Sequence, residues 1–203
     1  YIQSRPEHHR HDKVGRMSGF DAFVHDFTAS ERRLHLWRGE ILVTTGSDPA
    51  PAHRPFIVAT AQGSLRALGT RFNVRQLDDR TRVDVYEHAV EVRPLHGQLL
   101  VLPAGFRAEL AGDGVGAPQA LGAADAFWPQ GMLLAQNMPL AGLVDELRRY
   151  HRGFLRVHPN VAGLPVSGAF PVSDTAASLD LLEKTLPLHI SRIGSFWARI
   201  EPR

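Results

Sequence analysis

The chain changes its hydrophobic period once. From Phe20 to about Val115, apolar and polar residues alternate in twos. The stretch "RLHLWRGEILV" carries Leu34, Leu36, Ile41 and Val43 on strands around Arg38-Gly39. "FIVATAQGSLRAL" reads as strand, Gln62-Gly63 turn, strand. "RVDVYEHAVEVRP" alternates Val83 and Val85, then Val90 and Val92, and "QLLVLPAGFRAEL" is split by a Pro-Ala-Gly turn. Short strands about 8–12 residues apart, separated by Gly, Pro and Asp turns, predict an all-β unit over 20–125.

Over 112–127, "GDGVGAPQALGAADAF", the composition shifts to Gly, Ala and Asp, and a linker is expected at 126–130. Beyond it the period becomes helical. Leu140, Leu143, Val144 and Leu147 stand at i, i+3, i+4 and i+7, one apolar stripe. Asp145 and Arg149 are spaced for an i, i+4 ion pair. Pro139 suits a first helical turn, and Asn137 is a candidate cap. His151-Arg152-Gly153 reads as the stop. "FLRVH" and "LPVSGAF" are strands, and "SDTAASLDLLEKTL" is a second helix capped by Ser173 or Asp174. "LHISRI" and "FWARIE" close the chain as strands. Residues 131–203 are thus expected as a small α+β unit in the order βαβ-βαββ. Residues 1–19 show no apolar period and are expected as a flexible arm.

Composition narrows the function classes. The chain has 203 residues, 43% hydrophobic and 22% charged, with 23 basic and 21 acidic residues for a net charge of +2. That balance gives no basic footprint for nucleic acid. With no cysteine, disulfides and cysteine-ligated metals are excluded. No apolar run reaches the roughly 20 residues of a membrane helix, and no signal peptide is visible. Because the chain starts at Tyr1 rather than Met, it is expected to be part of something longer.

Candidate chemistry is sparse. His8, His9 and His11 form the dense histidine cluster, but the surrounding arm has no patterned ligand set, so no metal site is assigned. "GDGVG" lacks the spacing, the lysine and the following helix of a phosphate loop. Ser4, Ser64 and Ser167 have no nucleophile-elbow context. Glu87 and Glu91 read as neighbours on one solvent face of a strand, not as an acid/base pair. "ALGTRFNV", residues 67–74, combines glycine, threonine and arginine. A phosphate cradle would need a helix to follow, and the alternation of Phe72 and Val74 makes it a turn into a strand. No catalytic, cofactor-binding or metal residue is assigned.

Four segments, "RRLHLWRGE", "RPFIVATAQGSLRALGTRFNVR", "VDVYEHAVEVRP" and "LPAGFRAEL", resemble the FecR family in that order and spacing. The segment from Gly131 to Ile190 is similar to that family's C-terminal signalling part, itself akin to the short N-terminal (STN) domain of secretins and TonB-dependent receptors. The resemblance covers about residues 20–203. The family's cytoplasmic anti-sigma segment and single membrane helix are not in this sequence, nor are its first strands recognisable before Phe20.

The resemblance implies a periplasmic, non-enzymatic signalling module. Its first part, 20–125, would be a solenoid-like or sandwich-like spacer. Its second, 131–203, would bind the N-terminal signalling domain of an outer-membrane TonB-dependent siderophore or iron transporter. The signal would pass to a cytoplasmic ECF sigma factor through the N-terminal segment outside this sequence, with the membrane engaged through its helix alone. Short sheets with exposed edges suggest strand addition. Met132 and Leu134 on one strand, Phe170 after another, and Trp197 with Arg199 on the last are the candidate contacts. The last pair faces outward if Phe196, Ala198 and Ile200 face the core; alternatively Trp197 covers a helix. A rival class is a carbohydrate- or polymer-binding β module, for which Trp37 and Tyr86 are the candidate platform.

Overall fold

The computed structural model describes residues 13–16, 22–46, 48, 54–151, 153–194 and 196–203, with backbone alone at 13–16, 22, 23 and 126. The arm histidines His8, His9 and His11, together with Ser4 and Arg152, lie outside the described residues.

Among the described residues, seventeen strands and two α-helices run in this order. The first twelve strands are β1 (Lys13–Arg16), β2 (Ala22–Phe27), β3 (Arg32–Thr44), β4 (Phe56–Thr60), β5 (Gly63–Ala67), β6 (Arg71–Gln76), β7 (Thr81–Glu87), β8 (Ala89–Pro94), β9 (Leu100–Pro103), β10 (Phe106–Ala111), β11 (Gly114–Val115) and β12 (Gln119–Ala120). Then follow β13 (Met132–Pro139), α1 (Leu140–Arg148), β14 (Phe154–Val157), β15 (Pro165–Pro171), α2 (Thr175–Thr185), β16 (Leu188–Ile193) and β17 (Trp197–Pro202). The chain divides into two compact units, 1–121 and 122–203. Residues 126–130, expected as a linker, fall in and beside two single 3-10 turns at Ala123–Ala126 and Trp128–Gln130.

The first unit is a single bent sheet in the order β11-β10-β7-β6-β3-β4-β5-β8-β9, with β1 and β2 also pairing β3 and β12 pairing β10. The 13-residue β3 belongs to both halves. Its first half pairs β2 and β4; past Arg38-Gly39 it pairs β6 and β1. The sheet folds back until β9 and β10 approach each other. Alternation sends Leu34, Leu36, Ile41, Val43, Phe72, Val74, Val83, Val85, Val90 and Val92 into one interior, each at most 1% exposed. This is the period-two pattern buried on one face.

Two expectations are corrected here. Lys13–Arg16, placed in the arm, pairs Thr44–Ile41 as a strand. With one apolar residue, Val14, that segment carries no alternation to read; the exposed side of β3 supplies its partner. Glu87 and Glu91 do not share a strand. His88, at φ 50°, turns the chain between β7 and β8, which lie in different halves of the sheet.

The second unit follows the order β13-α1-β14-β15-α2-β16-β17. Its strands form an antiparallel pair, β13-β15, and a three-stranded sheet, β14-β17-β16, in which β14 runs parallel to β17. The α1 stripe Leu140, Leu143, Val144 and Leu147 is fully buried, joined by Leu155, Phe170, Leu179, Leu182, Leu188 and Ile200. Asp174 caps α2, accepting the Ala177 N–H at 2.9 Å. The α1 cap differs from expectation. Asn137 sits at φ 51° in a bulge of β13, and Pro139 occupies the cap position. The first helical N–H groups are satisfied from elsewhere: Leu140 donates to the Leu164 carbonyl and Ala141 to the Ala162 carbonyl, each at 2.9 Å. The expected Asp145–Arg149 pair is replaced by Asp145 with Arg148 and Glu146 with Arg149, both at i, i+3.

Candidate partner-binding faces

"ALGTRFNV" is a structural joint. Gly69 turns the chain at φ 71°. Thr70, 2% exposed, receives a bond from no helix end. Its N–H donates to the Thr45 hydroxyl at 2.8 Å, and its own hydroxyl donates to the Glu87 carbonyl. A cleft of about 150 Å³ lies beside it, lined by Arg32, Arg66, Thr45, Phe56 and Leu68. Arg32 is engaged within the fold: its Nε and Nη2 donate to the Arg54 carbonyl at 3.2 and 2.8 Å, and Asp48 stands 3.8 Å away. That guanidinium braces the 48–54 connection instead of addressing a ligand.

The outward side of β3, β6, β7 and β10 carries a polar ladder. Asn73 donates to Glu40 at 2.7 Å and to Asp84 at 3.4 Å; Asp84 accepts Arg107 Nε and Nη2 at 2.5 and 3.0 Å. Glu40, Asn73 and Asp84 are each at most 2% exposed. Buried polar groups bonded in this way fix strand register, although the buried Asn73 Oδ1 has no hydrogen-bond partner. Among the described residues no group of three His, Asp or Glu side chains is arranged to hold a metal. Trp37 is 60% exposed and stacks on His35 at 6.3 Å, on the first half of β3. Tyr86 lies on β7 in the other half, so the two do not form the platform that polymer binding requires.

The second unit places the predicted contact residues unequally. Met132 and Leu134 share the outer side of β13, half-buried, while Leu133 and Ala135 turn inward to the core. Phe170 is 2% exposed and packs in the core, directly opposite Leu133. It therefore supports the surface and does not present one. The sequence places it just after a strand; it stands inside β15, where alternation turns it inward. On β17, Ala198 and Ile200 are buried, Trp197 is half-buried and Arg199 is exposed beside Glu201 at 3.0 Å. Phe196 does not face the core: it is 65% exposed in the turn before β17.

Two apolar residues beyond the contacts expected from sequence sit near Trp197. Phe154 is 72% and Ile193 70% exposed. Register places both directly beside Trp197, Phe154 across the parallel pair and Ile193 across the antiparallel one. Gly153, at φ 156°, makes the approach possible, because a Cβ there would lie 1.9 Å from the Phe196 carbonyl oxygen. That same carbonyl accepts the Phe154 N–H at 2.7 Å. The alternation of Phe154 and Arg156 in "FLRVH" was the available signal for the outer face of β14. Nearby, His151 Nδ1 lies 3.0 Å from the Thr175 hydroxyl, tying the end of α1 to the start of α2. Burial holds the His151 pKa below its ordinary value, partly offset by the Phe196 backbone carbonyl. No well-aligned hydrogen bond reaches Nε2.

Comparison with known proteins addresses the first unit directly. Residues 13–91 match the FecR protein family. The FecR segment therefore runs from β1 into β8 and includes the "ALGTRFNV" joint. No curated protein is a significant match. Two crystal structures from Parabacteroides distasonis ATCC 8503, each named "putative anti-sigma factor", are similar in fold. The first, at 1.65 Å resolution, has 21% identity and a TM-score of 0.63, covering 95% of this chain and 91% of that one. The second, at 2.50 Å, has 19% identity and a TM-score of 0.58, covering 95% of this chain and 99% of that one. At these identities the likeness establishes the fold.

Proposed function

We propose that this chain is the signalling portion of a FecR-type transmembrane anti-sigma regulator. The observation that carries the reading is the FecR match over residues 13–91, which covers most of the first unit's sheet. The two structures of similar fold bear anti-sigma names, which agrees with it. In this reading the protein performs no reaction; it changes partners or conformation. The second unit, with its βαβ-βαββ order, acts as an STN-like domain in the periplasm. Its partner is the N-terminal signalling domain of an outer-membrane TonB-dependent siderophore or iron transporter. A membrane helix and a sigma-factor-binding segment preceding Tyr1 relay the event to a cytoplasmic ECF sigma factor.

The test is titration calorimetry of the whole 203-residue chain with the signalling domain of its cognate transporter. Binding is expected, with modest salt dependence because the net charge is near zero. Trp197→Ala is expected to lose at least about 1 kcal/mol of binding if Trp197 is an anchor. Absence of binding by the parent chain refutes the partner assignment.

A further inference from the structure

We propose that the outer face of the β14-β17-β16 sheet docks a protein segment that presents apolar side chains next to carboxylates. The inference rests on the reading that this unit engages a signalling domain, and it names the face and the complementary chemistry.

The register builds the face in rows. Phe154, Trp197 and Ile193 form one row across all three strands, with Phe196 in the adjoining turn. Phe154, Ile193 and Phe196 are 72%, 70% and 65% exposed, although the same strands bury Leu155, Ala198 and Ile190 on their inner side. Clustered apolar exposure of this kind marks an interaction site, whereas single exposed residues do not.

The next row is Arg156, Arg199 and Ser191. Like charges directly opposite on neighbouring strands are destabilising. Glu201 neutralises Arg199 at 3.0 Å, and among the described residues no carboxylate lies within ion-pair distance of Arg156. A carboxylate on a partner would supply this second guanidinium with a counter-charge. A second copy of this chain fits less well, since its face brings two arginines, Arg156 and Arg199, and one carboxylate, Glu201, which is already paired.

The sheet edges argue for face-on docking over the strand addition expected from sequence. On β16 the Ile190 N–H, which points away from β17, is already taken by Glu183 Oε1 at 2.8 Å. On β14 the Leu155 carbonyl accepts Arg148 Nε at 2.9 Å. Each edge therefore has an outward backbone group engaged by a side chain, which blunts it toward an added strand.

The probe is the cognate transporter's signalling domain, titrated into the whole chain. Phe154→Ser and Ile193→Ser are each expected to weaken Kd about fivefold or more, and Arg156→Glu about tenfold. Arg156→Lys, which keeps the charge, is expected to retain most of the affinity. Val101→Ser, an exposed apolar position on β9 of the first unit, is expected to stay within about twofold. All four positions are exposed or half-buried, so thermal melts are expected to match the parent and separate lost binding from lost folding. Parent-like affinity in the Phe154, Ile193 and Arg156 variants overturns the inference while leaving the partner reading intact. No binding by the parent removes the partner reading and the inference together. Phosphatidylglycerol–phosphatidylcholine vesicles that bind the parent but not Phe154→Ser would make the occupant a bilayer, and self-association abolished by Ile193→Ser would make it a second copy; either result also overturns it.

Discussion

The two units handle polarity in opposite ways. Of the eight buried polar or charged residues among the described ones, Arg32, Glu40, Thr70, Asn73, Gln76, Thr81 and Asp84 lie in the first unit and Ser178 in the second. The first unit closes these groups into networks: Thr81 reaches the Thr60 hydroxyl, Gln62 and Gln76 at 3.0, 2.7 and 2.9 Å. Satisfied networks penalise any slipped register, because each partner would be left unpaired at low dielectric. The second unit has an almost wholly apolar interior yet leaves an apolar row outside. The first arrangement suits a scaffold that keeps one shape. The second suits a surface completed by something else.

The largest expected effects test whether the units are also energetically separate. Phe72→Ala, at a fully buried site of the first unit, should cost about 3–5 kcal/mol, and Leu143→Ala in the second about 2–5 kcal/mol. Scanning calorimetry should show each substitution lowering one transition and sparing the other. Residues 122–203 expressed alone should melt cooperatively. If either substitution shifts a single common transition, the comparison between two independent cores is broken.

A smaller effect sharpens the contrast in polar satisfaction. Thr70 and Ser178 make the same kind of bond, a buried hydroxyl donating to a backbone carbonyl, Glu87 in one case and Pro171, at 2.7 Å, in the other. Thr70→Val and Ser178→Ala should each cost about 1–3 kcal/mol. The Thr45 hydroxyl is bonded to the Thr70 backbone, accepting its N–H at 2.8 Å and donating to its carbonyl at 3.1 Å. These bonds are disturbed in Thr70→Val only if the orphaned Glu87 carbonyl shifts the joint, and a greater loss than at Ser178 measures that coupling. Chemical denaturation of the two variants measures this. Equal costs would mean that the first unit's networks contribute no cooperativity.

What the sequence made legible follows from how local each signal is. The β alternation around Leu34–Val43 and the α1 stripe are properties of a few consecutive residues, and both were readable. The α1 cap was not, because its acceptors are the carbonyls of Ala162 and Leu164, more than twenty positions along the chain. Arg148 shows the same limit. By helical phase it is an exposed residue with a cost under about 0.5 kcal/mol on truncation. The structure has its Nε donating to the Leu155 carbonyl at 2.9 Å, which raises the expected cost to about 1 kcal/mol. The docking row was invisible for a related reason. Phe154, Ile193 and Trp197 become neighbours through a parallel pairing and an antiparallel one, and no spacing along one strand encodes that. Phe170 is expected as a contact because it is placed beyond its strand; β15 runs on to Pro171, and alternation with buried Val166 then turns it inward.

The smallest expected effect concerns pH and belongs to the second unit. His151 lines a small cavity with Ala176, Leu179, Arg192, Gly194, Trp197 and Ala198. The charged residue in that lining, Arg192, is itself paired with Asp180 at 2.6 Å and stands 3.9 Å from Glu183. Burial favours the neutral imidazole, so the folded pKa lies below the unfolded value near 6.5. Above that value both states are neutral and His151 contributes nothing to the pH dependence. As pH falls through about 6.5 the unfolded chain binds the proton first, and stability declines until the folded pKa is passed. The ring is partly solvated, which keeps the decline small. His151→Gln retains a hydrogen-bonding side chain without the titration, so its stability should fall less than the parent's between roughly pH 7 and pH 5. Because every other group is common to both proteins, the difference between the two denaturation curves isolates His151. If the curves run parallel, or the parent gains stability on acidification relative to the variant, the imidazole is not held neutral by the fold, and the tie between α1 and α2 is an ordinary surface contact.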